Sequence, residues 1–163
     1  MFRPSDFLPI IALLGCSAEP DTSGPGDRPA SVDIGVPAGD GLDFAHLEEG
    51  AELRLQTFGQ GGTHVLLAIR TVGFGIRAFV SITLRNLASG IEVTAPAPVR
   101  PQLFFCDDQG VCDLVPLLVM TAGLAATDEE RDGLAVEVRA DVHNDAGVSA
   151  EVTREALLST EDL

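Results

Sequence analysis

The chain has 163 residues, a length typical of a single domain. Hydrophobic residues make up 45% of it, and its formal net charge is −15. Its 25 acidic residues against ten basic ones argue against a nucleic-acid-binding surface, which needs clustered Lys and Arg. All ten basic residues are arginines, so lysine chemistry such as a Schiff base is excluded, and the absence of Trp and Tyr leaves only eight Phe as stacking aromatics.

The N-terminus has the pattern of a secretion signal. Arg3 precedes an apolar run over residues 7–14, which is too short for a membrane-spanning helix of about 20 residues but fits a signal-peptide core. At its end, Leu13-Leu14-Gly15-Cys16 resembles the lipobox of bacterial lipoproteins. The resemblance implies that residues 1–15 are a signal peptide and that Cys16 becomes the lipid-bearing first residue of the mature protein. Several acyl chains together anchor a protein firmly.

Residues 16–31 predict a tether between this anchor and a folded domain. The stretch from Ser17 to Ser31 contains three Pro and two Gly and no aliphatic residue larger than Ala, so it buries too little apolar surface to order itself. As a flexible chain it would span about 20 Å. In bacterial lipoproteins an Asp after the lipidated cysteine favours the inner membrane. The resemblance therefore implies that Ser17 favours the outer membrane, on its periplasmic side or at the cell surface.

The three cysteines leave Cys106 and Cys112 as a pair if Cys16 carries lipid. They flank a short polar segment that contains a Gly, with apolar residues on either side. This pattern predicts a hairpin closed by a disulfide, which requires an oxidising compartment. The alternative is a metal-binding or redox pair, but such motifs usually space their cysteines by two to four residues.

From residue 32 onward, apolar and polar residues alternate with the period of half-buried strands. Strands are predicted over residues 31–36, 51–58, 64–72, 77–86, 91–95, 103–106, 112–119, 134–143 and 148–153. The run 64–72 is apolar on both faces apart from Arg70, which predicts a central strand covered on each side. Asn144-Asp145-Ala146-Gly147 predicts a tight turn between the last two strands.

These short strands predict an all-β fold, specifically an antiparallel β-sandwich of immunoglobulin-like type with one hairpin disulfide. A jelly roll or small barrel is the alternative. We place the domain at residues 32–155 and a C-terminal tail at residues 156–163.

Two further stretches resemble predicted lipoproteins of the kind found in myxobacteria. They are Leu47-Glu48-Glu49-Gly50-Ala51-Glu52-Leu53, preceded by Phe44, and Gly59-Gln60-Gly61-Gly62-Thr63-His64-Val65. The resemblance covers about twenty residues and implies location and fold without implying an activity.

Few residues point to chemistry. A strand follows Gly59-Gln60-Gly61-Gly62, and His64 stands where a dinucleotide loop needs its third glycine, so a turn is favoured over a phosphate site. His46, His64 and His143 form no helical ligand pair, and the chain has neither an HExxH nor a GxSxG motif. Acidic loops offer weak calcium-ligand candidates at Asp107, Asp108 and Asp113, with a second acidic cluster at residues 128–133.

The sequence therefore predicts a non-enzymatic cell-envelope lipoprotein whose domain serves protein–protein contact or structural spacing, with no catalytic residue and no cofactor. One alternative is an exported hydrolase or ligand-binding lipoprotein with a site assembled from distant loops. A calcium-stabilised adhesion module is the other.

Overall fold

The computed structural model describes residues 28–57, 62–124 and 127–160. The predicted signal peptide, Cys16, most of the predicted tether and most of the Gly59–Gly62 motif lie outside these residues. The described chain forms ten strands and one helical turn: β1 (Ser31–Ala38), β2 (Asp43–His46), β3 (Ala51–Thr57), β4 (Thr63–Val72), β5 (Arg77–Asn86), β6 (Pro101–Leu103), β7 (Phe105–Cys106), β8 (Val111–Thr121), α1 (Asp128–Arg131), β9 (Ala135–His143) and β10 (Ser149–Ser159). The prediction of an all-β fold is confirmed.

Strand β4 lies at the centre of the sheet, as its sequence predicts. One edge pairs with β8 along almost the whole strand. The other edge is shared, since β1 pairs with residues 68–72 and β3 pairs with residues 63–65. Val65, Leu67 and Ile69 are fully buried on one face, and His64 and Ala68 are buried on the other. A strand that is apolar on both faces is thus covered on both faces.

The sheet is mixed, whereas the sequence predicts antiparallel pairing throughout. The first half of β3 pairs in parallel with residues 156–159 of β10, and its second half pairs antiparallel with β4. Strand β3 therefore joins the β4 side of the sheet to the row β10–β9–β5–β6. The two paired segments, β3 and the end of β10, lie about a hundred residues apart in the chain and run in the same direction.

Residues 91–95 join the two sides of the curled sheet a second time. Asn86 and Val93 form backbone hydrogen bonds that link this segment to β5, and Ala95 and Ala122 form bonds that link it to β8. A continuous circuit of hydrogen-bonded segments results, running β4–β3–β10–β9–β5, through residues 91–95, and back through β8 to β4.

The core lies inside this circuit and takes its side chains from alternate positions on almost every strand. Its largest fully buried side chains include Ile34, Leu53, Val65, Leu67, Ile69, Leu84, Val136, Val138, Val142 and Leu158. The alternation predicted for β9 is confirmed, because Val136, Val138, Ala140 and Val142 are buried while Arg139 and His143 are exposed.

Strand β10 extends to Ser159, beyond the predicted end of the domain at residue 155. The alternation continues through buried Ala156 and Leu158, and both residues belong to the parallel pairing with β3. The segment 156–159, predicted as part of a tail, is therefore part of the sheet.

Both predicted hairpin turns are present. Between β9 and β10, the Asn144 side chain accepts hydrogen bonds from the Ala146 and Val148 N–H groups, and Gly147 adopts a positive φ. Between β7 and β8, Cys106 faces Cys112 and forms the predicted disulfide, with 3.9 Å between the Cα atoms. The Asp107 carboxylate accepts hydrogen bonds from the Gln109 and Val111 N–H groups across this turn.

We predict that replacing both Cys106 and Cys112 by Ser lowers the free energy of unfolding by about 2 kcal/mol, because the disulfide no longer restricts the unfolded chain. Urea unfolding of the full chain with and without reductant measures the change. Reductant should lower the midpoint of the parent chain and leave the double variant unaffected. Equal midpoints for the oxidised parent and the variant would contradict the prediction.

Candidate functional site

The acidic residues near the disulfide do not converge on one point. Asp107 caps its own turn, as described above, and Asp113 forms a two-pronged ion pair with Arg70, with both N–O distances at 2.8 Å. That hydrogen-bonded pair raises the pKa of the Arg70 guanidinium, and the charges of Asp33 and Asp107 add to the effect. Arg70 also lies over the Phe44 ring, 4.3 Å from its centroid.

The second acidic cluster has a structural role in the described part of the chain. Asp132 accepts a hydrogen bond from the Thr160 N–H and so connects α1 to the end of β10. Within residues 28–57, 62–124 and 127–160, no three His, Cys, Asp or Glu side chains lie together in a group that could hold a metal ion. Calcium binding at Asp107, Asp108 and Asp113 stays a prediction.

Asp33 holds three parts of the fold together. Its carboxylate lies 2.7 Å from Nδ1 of His46 on β2 and accepts a 3.0 Å hydrogen bond from Arg154 on β10. It also accepts a bond from the backbone N–H of Ile34. The contact with Arg154 links the first and last strands of the domain, 121 residues apart in the chain. The pattern of the sequence gives no indication of this contact.

The three histidines lie in separate surroundings. His46 contacts Asp33, as described above. His64 is buried in β4 with Nε2 3.1 Å from the Gln56 side-chain oxygen, and burial lowers the pKa of its imidazole. His143 stacks on Phe79, with 4.9 Å between the ring centroids. The three histidines therefore contact different residues, namely Asp33, Gln56 and Phe79.

A groove opens between β5 and β8, and the sequence did not predict it. We call it the β5–β8 slot. Residues 80–83 of β5 form one wall and residues 117–120 of β8 form the other, enclosing about 450 Å³. Residues 93–95 close one end through their bonds to both strands. At the other end, β6 pairs with β5 and β7 pairs with β8.

The slot exists because the strand that should fill it is interrupted. Residues 91–106 run antiparallel to β5 and β8 at both ends of the slot. Between these ends, residues 96–100 lie exposed along the slot without belonging to a strand. We call residues 96–100 the strap. Pro96, Pro98 and the following Pro101 have no N–H group, so they cannot donate to a sheet ladder. These alternating prolines are the sequence signal that could have located the slot.

Main-chain groups line both walls of the slot. The backbone groups of Leu84 bond to Val93 and Thr94, on the side away from β9. Because the hydrogen-bonding direction alternates along an antiparallel strand, the N–H and C=O of Ile82 and Val80 face the same side. On β8, the Met120 C=O bonds to Ala95, so by the same alternation the main-chain groups of Leu118 face the slot. The pairing of Phe79 with Pro101 brings the Val80 N–H to the Arg100 C=O, whereas the described residues supply no hydrogen-bond partner on this side for Ile82 or Leu118.

Comparison of the chain with family models, with curated proteins and with solved structures gave no match. Among the described residues, no helix is both long enough and apolar enough to cross a membrane.

The buried His64 predicts a pH-dependent stability. Burial lowers its pKa from the ordinary value of 6.5, so the folded protein binds a proton less readily than the unfolded chain. The free energy of unfolding should therefore rise with pH up to about 6.5 and decline as the pH falls below that value. Urea unfolding between pH 5 and 7.5 measures this slope.

A His64→Gln variant should flatten the slope, because it removes the titrating group from the buried site. His143→Gln at an exposed position is the matched control, and the His64 variant should have the flatter slope of the two. Identical slopes in the parent chain and the His64 variant would show that another group causes the pH dependence.

Proposed function

We propose that the protein is a non-enzymatic lipoprotein of the cell envelope and that its β domain makes contact with other proteins. In this proposal, residues 1–15 direct export and Cys16 carries the lipid. The residues that follow act as a tether, and the outer membrane is the favoured location. The lipobox resemblance at Leu13-Leu14-Gly15-Cys16 and the Cys106–Cys112 disulfide support export, because a disulfide persists in an oxidising compartment.

A patch of exposed apolar side chains is the observation that carries the contact function. Phe105 is 80% exposed, and Leu103 and Ile76 are exposed to 68% and 65%. These residues lie close together in the fold, because the Phe104 N–H donates to the Ile76 C=O between them. Val99 and Leu118 at the adjacent slot are also exposed. Apolar side chains grouped on a surface are typical of a protein contact site.

Charged side chains elsewhere on the same outer face of the sheet differ from the patch, because they bind one another. Arg139 donates to Asp141 at 2.9 Å and to Glu151 at 2.6 Å, and these three residues lie on neighbouring positions of β9 and β10. This charged part of the surface has the features of a solvated surface, in contrast to the patch around Phe105.

We also propose that the curled sheet is a two-layered sandwich of immunoglobulin-like architecture. One layer would contain β1, β4 and β8, and the other would contain β5, β9 and β10. The shared core supports this division, because buried residues such as Leu67 from the first row and Val138 from the second belong to one apolar cluster.

The intact mass of the mature N-terminal peptide, from protein made in its own host, tests the anchor. We expect a peptide that begins at Cys16 and carries acyl chains, with residues 1–15 removed. A Cys16→Ser variant is the control and should yield no acylated N-terminal peptide. An unmodified N-terminal peptide that begins elsewhere would overturn the lipoprotein proposal.

A photoreactive phenylalanine analogue at Phe105 tests the contact function in the living host. We expect cross-linked species of higher mass from position 105 and none from the same analogue at Arg139, because only the first position lies in the apolar patch. Equal cross-linking at the two positions, or none at either, would contradict a contact function of this patch.

A further inference from the structure

We propose that the partner of the apolar patch is a protein of the same membrane that holds the lipid on Cys16, and that the domain meets it with the end to which the tether is attached. This inference rests on the proposed contact function and the proposed anchor, and it names the location and the chemistry of the partner. It follows from the place where the chain enters the domain, from the exposed side chains beside that place, and from the length of chain that separates it from Cys16.

The described chain enters the domain at the same end of the sheet as the patch. Ser31 at the start of β1 pairs with Val72 at the end of β4, and Val72 also pairs with Val111 at the start of β8. In the other row of strands, Arg77 at the start of β5 pairs with Leu103 of the patch. Only four residues connect β4 to β5, so both rows share this end. We call it the tether end.

A cavity at the tether end connects the first described residues to the patch. Arg28, Ile76 and Cys106 all line this cavity, which encloses about 500 Å³. The Arg28 guanidinium donates to the Gln109 C=O at 3.4 Å, in the turn that follows Cys106. Phe105, which is 80% exposed, directly precedes Cys106. The tether therefore reaches the domain beside the patch.

The number of residues before Arg28 limits the distance between the tether end and the membrane. Arg28 follows Cys16 by twelve positions, and a chain of this length spans at most about 43 Å when it is fully extended. Strand β5 has ten residues, so its other end at Asn86 lies about 33 Å from the tether end. A lipid on Cys16 would keep the patch within reach of the bilayer surface, while the far end of the domain can extend well beyond it.

This placement favours a partner in the same membrane. Two proteins that are attached to one surface meet at a higher effective concentration than when one of them is free in solution. The patch belongs to the part of the domain that the short chain holds near such a protein. Its exposed side chains, Ile76, Leu103 and Phe105, suit an apolar surface on that protein.

The charge of the chain disfavours the bilayer itself and a second copy as occupants of the patch. With a formal net charge of −15, the chain is repelled by anionic lipid headgroups and by another copy of itself. The chain also contains neither Trp nor Tyr, the side chains typical of membrane–water interfaces. A protein whose apolar surface is bordered by neutral or basic residues avoids this repulsion.

Cross-linking followed by cleavage of the tether tests the proposal in the host. The full chain carries a photoreactive phenylalanine analogue at position 105 and a site for a sequence-specific protease between Ser23 and Gly24. After illumination, membranes are isolated, washed at high pH to remove peripheral proteins, and treated with the protease. The protease should release the domain that is not cross-linked. Cross-linked species of higher mass should remain in the membrane until detergent is added, because the partner holds them there.

Ile91 provides a matched control at the far end of the domain. It is 61% exposed, close to the 65% of Ile76, and its C=O accepts a hydrogen bond from the N–H of Asn86, the last residue of β5. The same analogue at position 91 should give no retained species.

Substitutions at the two isoleucines test the contact itself. Ile76→Ser should lower the yield of cross-linked species from position 105 severalfold, because it removes apolar contact area. Ile91→Ser, at similar exposure, should leave that yield unchanged. Equal yields from the two variants would contradict a contact through the tether end.

The remaining outcomes each overturn the proposed partner and identify a different one. Release of the cross-linked species together with the free domain would identify a soluble protein, and the contact function would then stand without this inference. Retention of the domain with no gain in protein mass would identify lipid, and a released species of twice the mass of the domain would identify a second copy. No cross-link at position 105 would overturn the contact function as well, and a parent chain absent from the membrane fraction would overturn the anchor.

Discussion

The fold depends on the need to bury β4 on both faces and to pair it on both edges. Its ten residues include Arg70 as the only charged side chain, so neither face tolerates water over most of its length. Strand β8 covers one edge, while β1 and β3 divide the other between them. Because β3 pairs with only part of β4, its remaining residues are free to pair with β10. That second pairing draws the sheet into a closed circuit.

Local features of the fold could be predicted from the sequence, and distant pairings could not. The alternation in β9, the burial of β4 and the turn at Asn144 each depend on neighbouring residues, so periodicity and turn chemistry identify them. The Cys106–Cys112 disulfide closes a short loop and is equally local. The parallel contact between β3 and β10 joins segments about a hundred residues apart and leaves no pattern in either strand. For the same reason, the end of the domain was predicted several residues too early.

The candidate site shows the same division between local and distant features. The acidic residues attract attention in the sequence, yet Asp113 binds Arg70 and Asp107 caps a turn. Asp33 looks unremarkable in its strand, but it contacts both β2 and β10. The slot had a local signal in Pro96 and Pro98, whose missing N–H groups exclude them from a ladder. The prolines alone do not predict a groove, because a groove forms only where β5 and β8 lie on either side of that segment. That arrangement depends on the whole circuit of strands.

The recessed position of the unpaired edges also bears on self-association. A strand edge at the rim of a sheet attracts the edge of a second copy, which is a common route to aggregation. The free edges at Ile82 and Leu118 instead line a groove whose remaining lining comes from the strap. The strap runs along this groove, so the edge strand of a second copy cannot lie against either wall. The domain can therefore keep open hydrogen-bonding positions even where many copies are crowded together, without forming continuous sheets between molecules.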